Sequence, residues 1–142
     1  MIDGADVFLD TNILIYAALG RDDEPEKFAV ARRIVLEEDY CTSGQVLAEF
    51  YAIATRKGAP PLASDEALHW VRTLAKKPCQ AVDDKIVLGG ITIAQRYRIS
   101  YWDGAIVAAA ERLGAQIIYS EDLSHGQRYG AVQVINPFIE AD

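Results

Sequence analysis

The chain has 142 residues, 51% hydrophobic and 25% charged, with a net charge of −7. That is long enough to bury a core and too apolar for disorder, so one globular domain over residues 1–142 is expected. The acidic balance argues against long, sequence-blind binding to duplex nucleic acid, which leaves a basic footprint.

The first ordered segment is read at Val7-Phe8-Leu9, a short apolar run with two β-favouring residues. It stops at Asp10. Thr11-Asn12 then opens a helical pattern through Ile13, Leu14, Ala17 and Ala18. Gly20 to Pro25 is a polar break, and Glu24-Pro25-Glu26 starts a second helix carrying Phe28, Ala31, Ile34, Val35 and Glu38 at helical spacing. Tyr40-Cys41-Thr42 reads as a second strand. Thr42 with Gln45 has the spacing of a capping box, and the helix it opens is expected to run to about Lys57 before Gly58-Ala59-Pro60-Pro61.

Ser64 is the expected cap of the next helix, with Asp65 and Glu66 in its first turn and Leu68, Val71, Leu74 and Ala75 on one face. Cys79 to Val82 is a candidate third strand. Asp83 or Asp84 caps a helix bearing Val87, Ile91 and Ala94. Gly89-Gly90 inside that helix costs about 1 kcal/mol per glycine, which implies close packing against a neighbour. Asp103 begins a helix over Gly104 to Leu113 whose Ala105 to Ala110 core is apolar all round, and Gly114 stops it. Gln116 to Tyr119 and Val132 to Ile135 complete the strands, the first followed by the turn Ser120-Glu121-Asp122. Strands alternate with helices, the pattern of an α/β fold with a mainly parallel sheet.

No apolar run, Ala105 to Ala110 included, is anywhere near long enough to span a bilayer, so no membrane association is expected. Asp3 and Asp6, with no Lys or Arg around them, are unlike a secretory leader. Cys41 and Cys79 have neither a Cys-x-x-Cys nor a Cys/His metal spacing, which points to a reduced, cytoplasmic setting. Short basic groups at Arg32-Arg33, Arg56-Lys57, Lys76-Lys77 and Arg96 with Arg98 read as solvated helix faces. Without the four acids singled out next, the net charge would be −3. Composition therefore neither supports nor excludes an RNA partner.

Asp10, Glu49, Asp103 and Asp122 stand out. Asp10 and Asp122 each follow a strand, at the edge of a parallel sheet where ligands bind, though either could serve as a cap or turn residue. Asp103 is a helix cap, a ligand, or both. Glu49 falls on the apolar stripe of its own helix, beside Val46, Phe50 and Ile53, with no Lys or Arg three or four positions away. A carboxylate there needs compensation, from a metal or its surroundings or, alternatively, from a structural salt bridge elsewhere in the chain. Two carboxylates about 4 Å apart repel by roughly 4 kcal/mol at an effective dielectric of 20, so four together require a cation or protonation. Oxygen donors without Cys or His select Mg²⁺ or Mn²⁺ over zinc, and those ions activate water against phosphodiesters. Glu121 is expected to point away from this group. His69 reads as a boundary residue. His125 and Arg128 are candidates for touching RNA phosphate, with an exposed loop as the simpler alternative.

The stretches Phe8 to Ala17, Gln45 to Tyr51 with Thr55-Arg56-Lys57, Ser100 to Ala110, Tyr119 to Leu123, and Asn136-Pro137-Phe138 together resemble a PIN domain. Within that family they are most similar to the VapC-type toxins of prokaryotic toxin–antitoxin pairs, over essentially the whole chain and in the right order. The resemblance implies a three-layer α/β/α arrangement around a five-stranded parallel sheet, and a Mg²⁺- or Mn²⁺-dependent ribonuclease. It maps the family's four acids onto Asp10, Glu49, Asp103 and Asp122, and its accessory polar residues onto Thr11 or Asn12 and Ser120. It further implies a homodimer held inactive by an antitoxin protein. Gly104, where the family often has a larger residue, and Gly89-Gly90 are mild departures. A signalling receiver domain would want a second acid beside Asp10 and a Lys after a late strand; Asn12 and the Lys-free stretch after Tyr119 disagree. A PIN-like module that binds RNA or protein without cutting is the remaining alternative.

Overall fold

Residues 6–139 are described by the computed structural model. In chain order they form β1 (Val7–Leu9), α1 (Thr11–Leu19), α2 (Pro25–Glu37), β2 (Tyr40–Ser43), α3 (Gly44–Ala54) and α4 (Ser64–Leu74). Then come β3 (Cys79–Gln80), α5 (Asp84–Tyr97), α6 (Tyr101–Leu113), β4 (Ile117–Tyr119), β5 (Arg128–Tyr129) and β6 (Val132–Ile135). The strands join in one sheet in the order β3-β2-β1-β4-β6-β5, flanked by helices. All pairings are parallel except β5 against β6.

The sheet thus has six strands, not the expected five. The extra strand is Arg128–Tyr129, which turns back through Gly130 to pair antiparallel with Val132 and Gln133. Two residues between a loop and a tight turn carry no periodicity, so this strand exists only because β6 offers it an edge.

β1 lies in the middle, with Phe8 opposite both Cys41 and Ile118. Its three residues are buried, and Phe8, Leu9, Ile13 and Leu14 have no exposure at all. The chain steps outward from β1 to β2 and β3, then crosses to the other side of β1 for β4. The order reverses between β1 and β4, and the carboxyl ends of those strands open a crevice.

Glycine spacing explains how α5 and α6 dock. A Cβ on Gly104 would lie 2.4 Å from the Gly90 carbonyl oxygen, and one on Gly90 would lie 3.0 Å from Ala105 Cα. The helices meet backbone to backbone, and α6 is buried continuously from Gly104 to Ala110. Gly90 is the required member of the expected glycine pair, since a Cβ on Gly89 would make ordinary contact with Ala108 at 3.5 Å.

Helix ends depart locally from expectation. Ser43, not Thr42, caps α3, accepting from Val46 N at 3.3 Å. Thr42 is paired with Cys79 inside the sheet, where its hydroxyl is buried without a partner. Helix α3 ends at Ala54 instead of Lys57, the chain tightening there as Arg56 N donates to the Ile53 carbonyl three residues back at 3.1 Å. Ala63 precedes α4, with Glu66 accepting from its backbone N–H, and Ser64 is already helical. Asp83 caps α5 as expected, through Ile86 N at 2.9 Å. Ser100 caps α6, so Asp103 is its third residue and not its cap.

Candidate active site

A cleft of about 390 Å³ opens at the β1/β4 crevice, and Asp10, Glu49, Asp103 and Asp122 all line it. Four different elements deliver them. Asp10 is the residue between β1 and α1 and is only 7% exposed. Glu49 projects from the second turn of α3. Asp103 comes from the first turn of α6, and Asp122 from the turn after β4.

The polar residues between them act as braces. Asp10 Oδ1 accepts from Thr11 N at 2.8 Å, and its Oδ2 accepts from Ser120 Oγ at 2.7 Å. Asn12 Nδ2 donates to Asp10 at 3.3 Å and to Asp122 at 3.2 Å, joining two acids 112 residues apart through one amide. Thr11 Oγ1 donates to Glu49 Oε1 at 2.8 Å. Ser120 is fully buried, and its oxygen also accepts from the N–H groups of Asp122 and Leu123. Those two acceptances use both hydroxyl lone pairs, which leaves the Ser120 proton committed to Asp10.

The electrostatics are those of an uncompensated acid group. Burial pushes the Asp10 carboxyl up from its ordinary 3.8 to about 6. Hydrogen bonds from Ser120 and Thr11 pull it partly back, while Asp122 and Glu49 add repulsion. Among the described residues the ion pairs are Lys27 with Glu121 and Arg33 with Glu38, so none of the four acids has a bridging cation. A structural salt bridge to Glu49 is therefore not what compensates it. Glu49 is half-buried, opening into the cleft instead of lying in the core.

Oxygen donors of this kind could hold Mg²⁺ or Mn²⁺, which take few protein ligands and retain waters. Among the described residues, no group of three or more His, Cys, Asp or Glu side chains is already drawn together closely enough to hold a metal ion. The donor set is what fits a cation: Asp10 shares the cleft with Glu49, Asp103 and Asp122, all oxygen donors, and no ion pair among the described residues neutralises them.

Thr11 and Asn12 line the cleft, as expected, while Ser120 lies beneath it. His125 and Arg128 are exposed and are not among the cleft residues; His125 Nδ1 instead accepts from Asn136 N at 3.0 Å. The sequence reading misses Lys57, Tyr16, Gln45 and Trp102, which also line the cleft. Lys57 lies eight residues beyond Glu49, a same-face spacing that could have flagged it. Trp102 is 62% exposed, and its carbonyl accepts from Gln45 Nε2 at 3.2 Å.

A family model, the PIN domain, matches residues 7–129. This chain belongs to the PIN domain family. No curated protein sequence matches it. Among solved structures this PIN domain is similar to Mycobacterium tuberculosis VapC20, a sarcin–ricin loop cleaving toxin. The identity is 18%, the TM-score 0.64, and the match covers 82% of this chain and 89% of that one. It is also similar to a toxin–antitoxin complex from Klebsiella pneumoniae, at 16% identity and TM-score 0.66, over 92% and 97% of the two chains. DNA-bound VapBC from Salmonella typhimurium matches at 18% identity and TM-score 0.62, over 94% and 97%. At such identities the likeness is one of fold. No helix among the described residues is long and apolar enough to cross a membrane.

Proposed function

We propose that this PIN domain is a Mg²⁺- or Mn²⁺-dependent endoribonuclease that prefers single-stranded regions and acts as the toxin of a type II toxin–antitoxin pair. One observation carries the reading: four acids from four elements line a single cleft, with no ion pair to any of them among the described residues. Burying a carboxylate unpaired is costly, and a fold built for stability alone would pair it.

Asp10, Glu49, Asp103 and Asp122 would hold the metal, which when bound supplies charge stabilisation to phosphate oxygens and a more acidic water. Asn12 keeps the Asp10 and Asp122 carboxylates aimed into the cleft. Thr11 does the same for Glu49, and Ser120 holds Asp10 from below. Asp122 is the exposed member and the best placed to orient an attacking water or take its proton. Lys57 is available for a flanking phosphate.

The toxin role rests on family membership and on the toxin–antitoxin company of the similar folds. It brings with it RNA as substrate, an antitoxin protein as partner, a homodimer and a cytoplasmic site of action. The deciding experiment incubates purified protein with structured RNA and Mn²⁺ beside Asp10→Asn. Cleavage that falls at least about 10³-fold in the variant is expected; equal cleavage by both proteins refutes the reading. Calorimetric titration with Mn²⁺ examines the metal step separately, and sedimentation at micromolar concentration examines the dimer.

A further inference from the structure

Glu121 does turn away from the cleft, but into a built cluster. Its Oε1 accepts from Tyr16 Oη at 2.5 Å and its Oε2 from Lys27 Nζ at 2.5 Å. The Lys27 ammonium also donates to Tyr16 Oη at 3.3 Å. It lies 5.0 Å from the centre of the Tyr16 ring and 5.8 Å from that of Phe138, and the two rings pack edge to face at 5.1 Å. The Lys27 and Glu121 side chains are 32% and 25% exposed. Most exposed ion pairs contribute little. This one differs by its partial burial, its second hydrogen bond to each charge and its aromatic cover.

The cluster ties three elements together: α1 through Tyr16, α2 through Lys27, and the turn after β4 through Glu121. It also stands between two cavities. Tyr16 lines the acid cleft, while Lys27 and Phe138 line a neighbouring one of about 370 Å³. Helix α2 contributes no residue to the acid cleft itself. Asp122, next in the chain, is exposed, and its side chain is braced by Asn12. Its direction depends on that brace and on the backbone of its own turn. That backbone is held by Ser120 Oγ, by Asn12 Oδ1 accepting from Glu121 N at 3.2 Å, and by the Glu121 side chain.

We propose that Lys27, Glu121 and Tyr16 form a latch that positions Asp122 for catalysis, so that a residue of α2 outside the cleft sets the turnover of the site. Lys27 and Glu121 are positioning residues: they touch neither substrate nor metal and act through the Asp122 backbone. This rests on the nuclease reading for its kinetic consequence, but not for its structural one.

The test compares wild type with Lys27→Met, Glu121→Gln, the double variant and Lys27→Arg. Turnover on RNA should fall about tenfold in each single variant, with KM for RNA within about twofold, because binding contacts elsewhere are untouched. The Mn²⁺ concentration giving half-maximal rate should rise about fivefold or more, since Asp122 is less well held. The double variant should be no worse than the poorer single one, as for two halves of one device. Lys27→Arg, which keeps the charge and reach, should retain at least about half of turnover. Single variants with wild-type turnover, or losses that multiply in the double variant, would overturn the latch. Arg33→Met, which removes a cation from the same helix, should leave turnover unchanged.

Amide hydrogen exchange at Glu121 and Asp122 in metal-free protein gives a readout independent of activity. It should quicken about fivefold or more in Glu121→Gln while α6 exchange stays put. Should wild type cut no RNA, the nuclease reading falls, and exchange alone then judges the latch. Unchanged exchange overturns it. If Lys27→Met does not fold, Lys27→Gln takes its place in both arms.

Discussion

Asp10 and Glu121 follow adjacent parallel strands at the same edge of the sheet, yet their surroundings are opposite. Around Asp10 the fold gathers burial, two hydroxyl or amide braces and two further carboxylates, and the carboxyl is pushed up to about 6. Around Glu121 burial also pushes upward, but hydrogen bonds from Lys27 and Tyr16 outweigh it and hold the carboxyl below its ordinary value. One acid is neutralised by its own chain, and the other has no ion pair among the described residues. Local rules for burying charge are obeyed at the latch and broken at the cleft, and such departures concentrate where a protein acts.

The strongest way to erase this contrast is to give the cleft a cation of its own. Asn12→Lys places an ammonium beside Asp10 and Asp122, and RNA cleavage should drop at least about 10³-fold, equivalent to ~4 kcal/mol. The metal-free melting temperature should be no lower than that of wild type. A variant that still cleaves at the wild-type rate means the acids do not act through a bound cation.

Next in size is the pH dependence of stability in the metal-free protein. The folded-state pKa of Asp10 lies above its ordinary value, so between about pH 4 and pH 6 the native state holds more protons than the unfolded chain. Its contribution to stability is therefore largest in acid and falls as pH rises through that window, by about 3 kcal/mol in all. Subtracting the urea-unfolding profile of Asp10→Asn from that of wild type isolates this slope. Parallel profiles would mean that Asp10 is not strained.

Metal should reverse the strain. At about a hundredfold excess over its dissociation constant, Mn²⁺ should stabilise wild type by about 2.7 kcal/mol at pH 7. The gain should shrink toward pH 4.5 as Asp10 takes up its proton, and should be lost in Asp10→Asn. Thermal melts with and without Mn²⁺ measure it.

The smaller effects belong to the paired side. Discounted for partial exposure, Glu121→Gln should cost about 1 kcal/mol of stability in urea unfolding. Arg33→Met removes a looser, more exposed pair 3.8 Å apart and should cost less than about 0.5 kcal/mol. A larger loss at Arg33 than at Glu121 would invert the ranking of the two pairs.

How far the sequence could be read depended on the range of the interaction. Asp10 is legible because an apolar triplet ends at it and a helix begins, both local signals. Glu49 is legible as an acid on an apolar stripe. The caps were misjudged by one to three residues at Thr42, Ser64 and Asp103, since several side chains near a helix start can accept the same N–H, and sheet pairing decides among them. The strand at Arg128–Tyr129 was invisible because its partner edge, not its composition, creates it. The two glycines in α5 announce close packing, but only the docked pair reveals that Gly104 of α6 is their counterpart.

By itself, then, the sequence determined the alternation of strands and helices, the acids that end up at one edge, and the family to which they belong. These follow from periodicity and from residues a few positions apart. Tertiary structure alone decided which acid is paired. Lys27 and Tyr16 reach Glu121 across 94 and 105 residues of chain, and Asn12 reaches Asp122 across 110. No local pattern encodes contacts of that span, because the partner of a charge is set by where the folded backbone brings it.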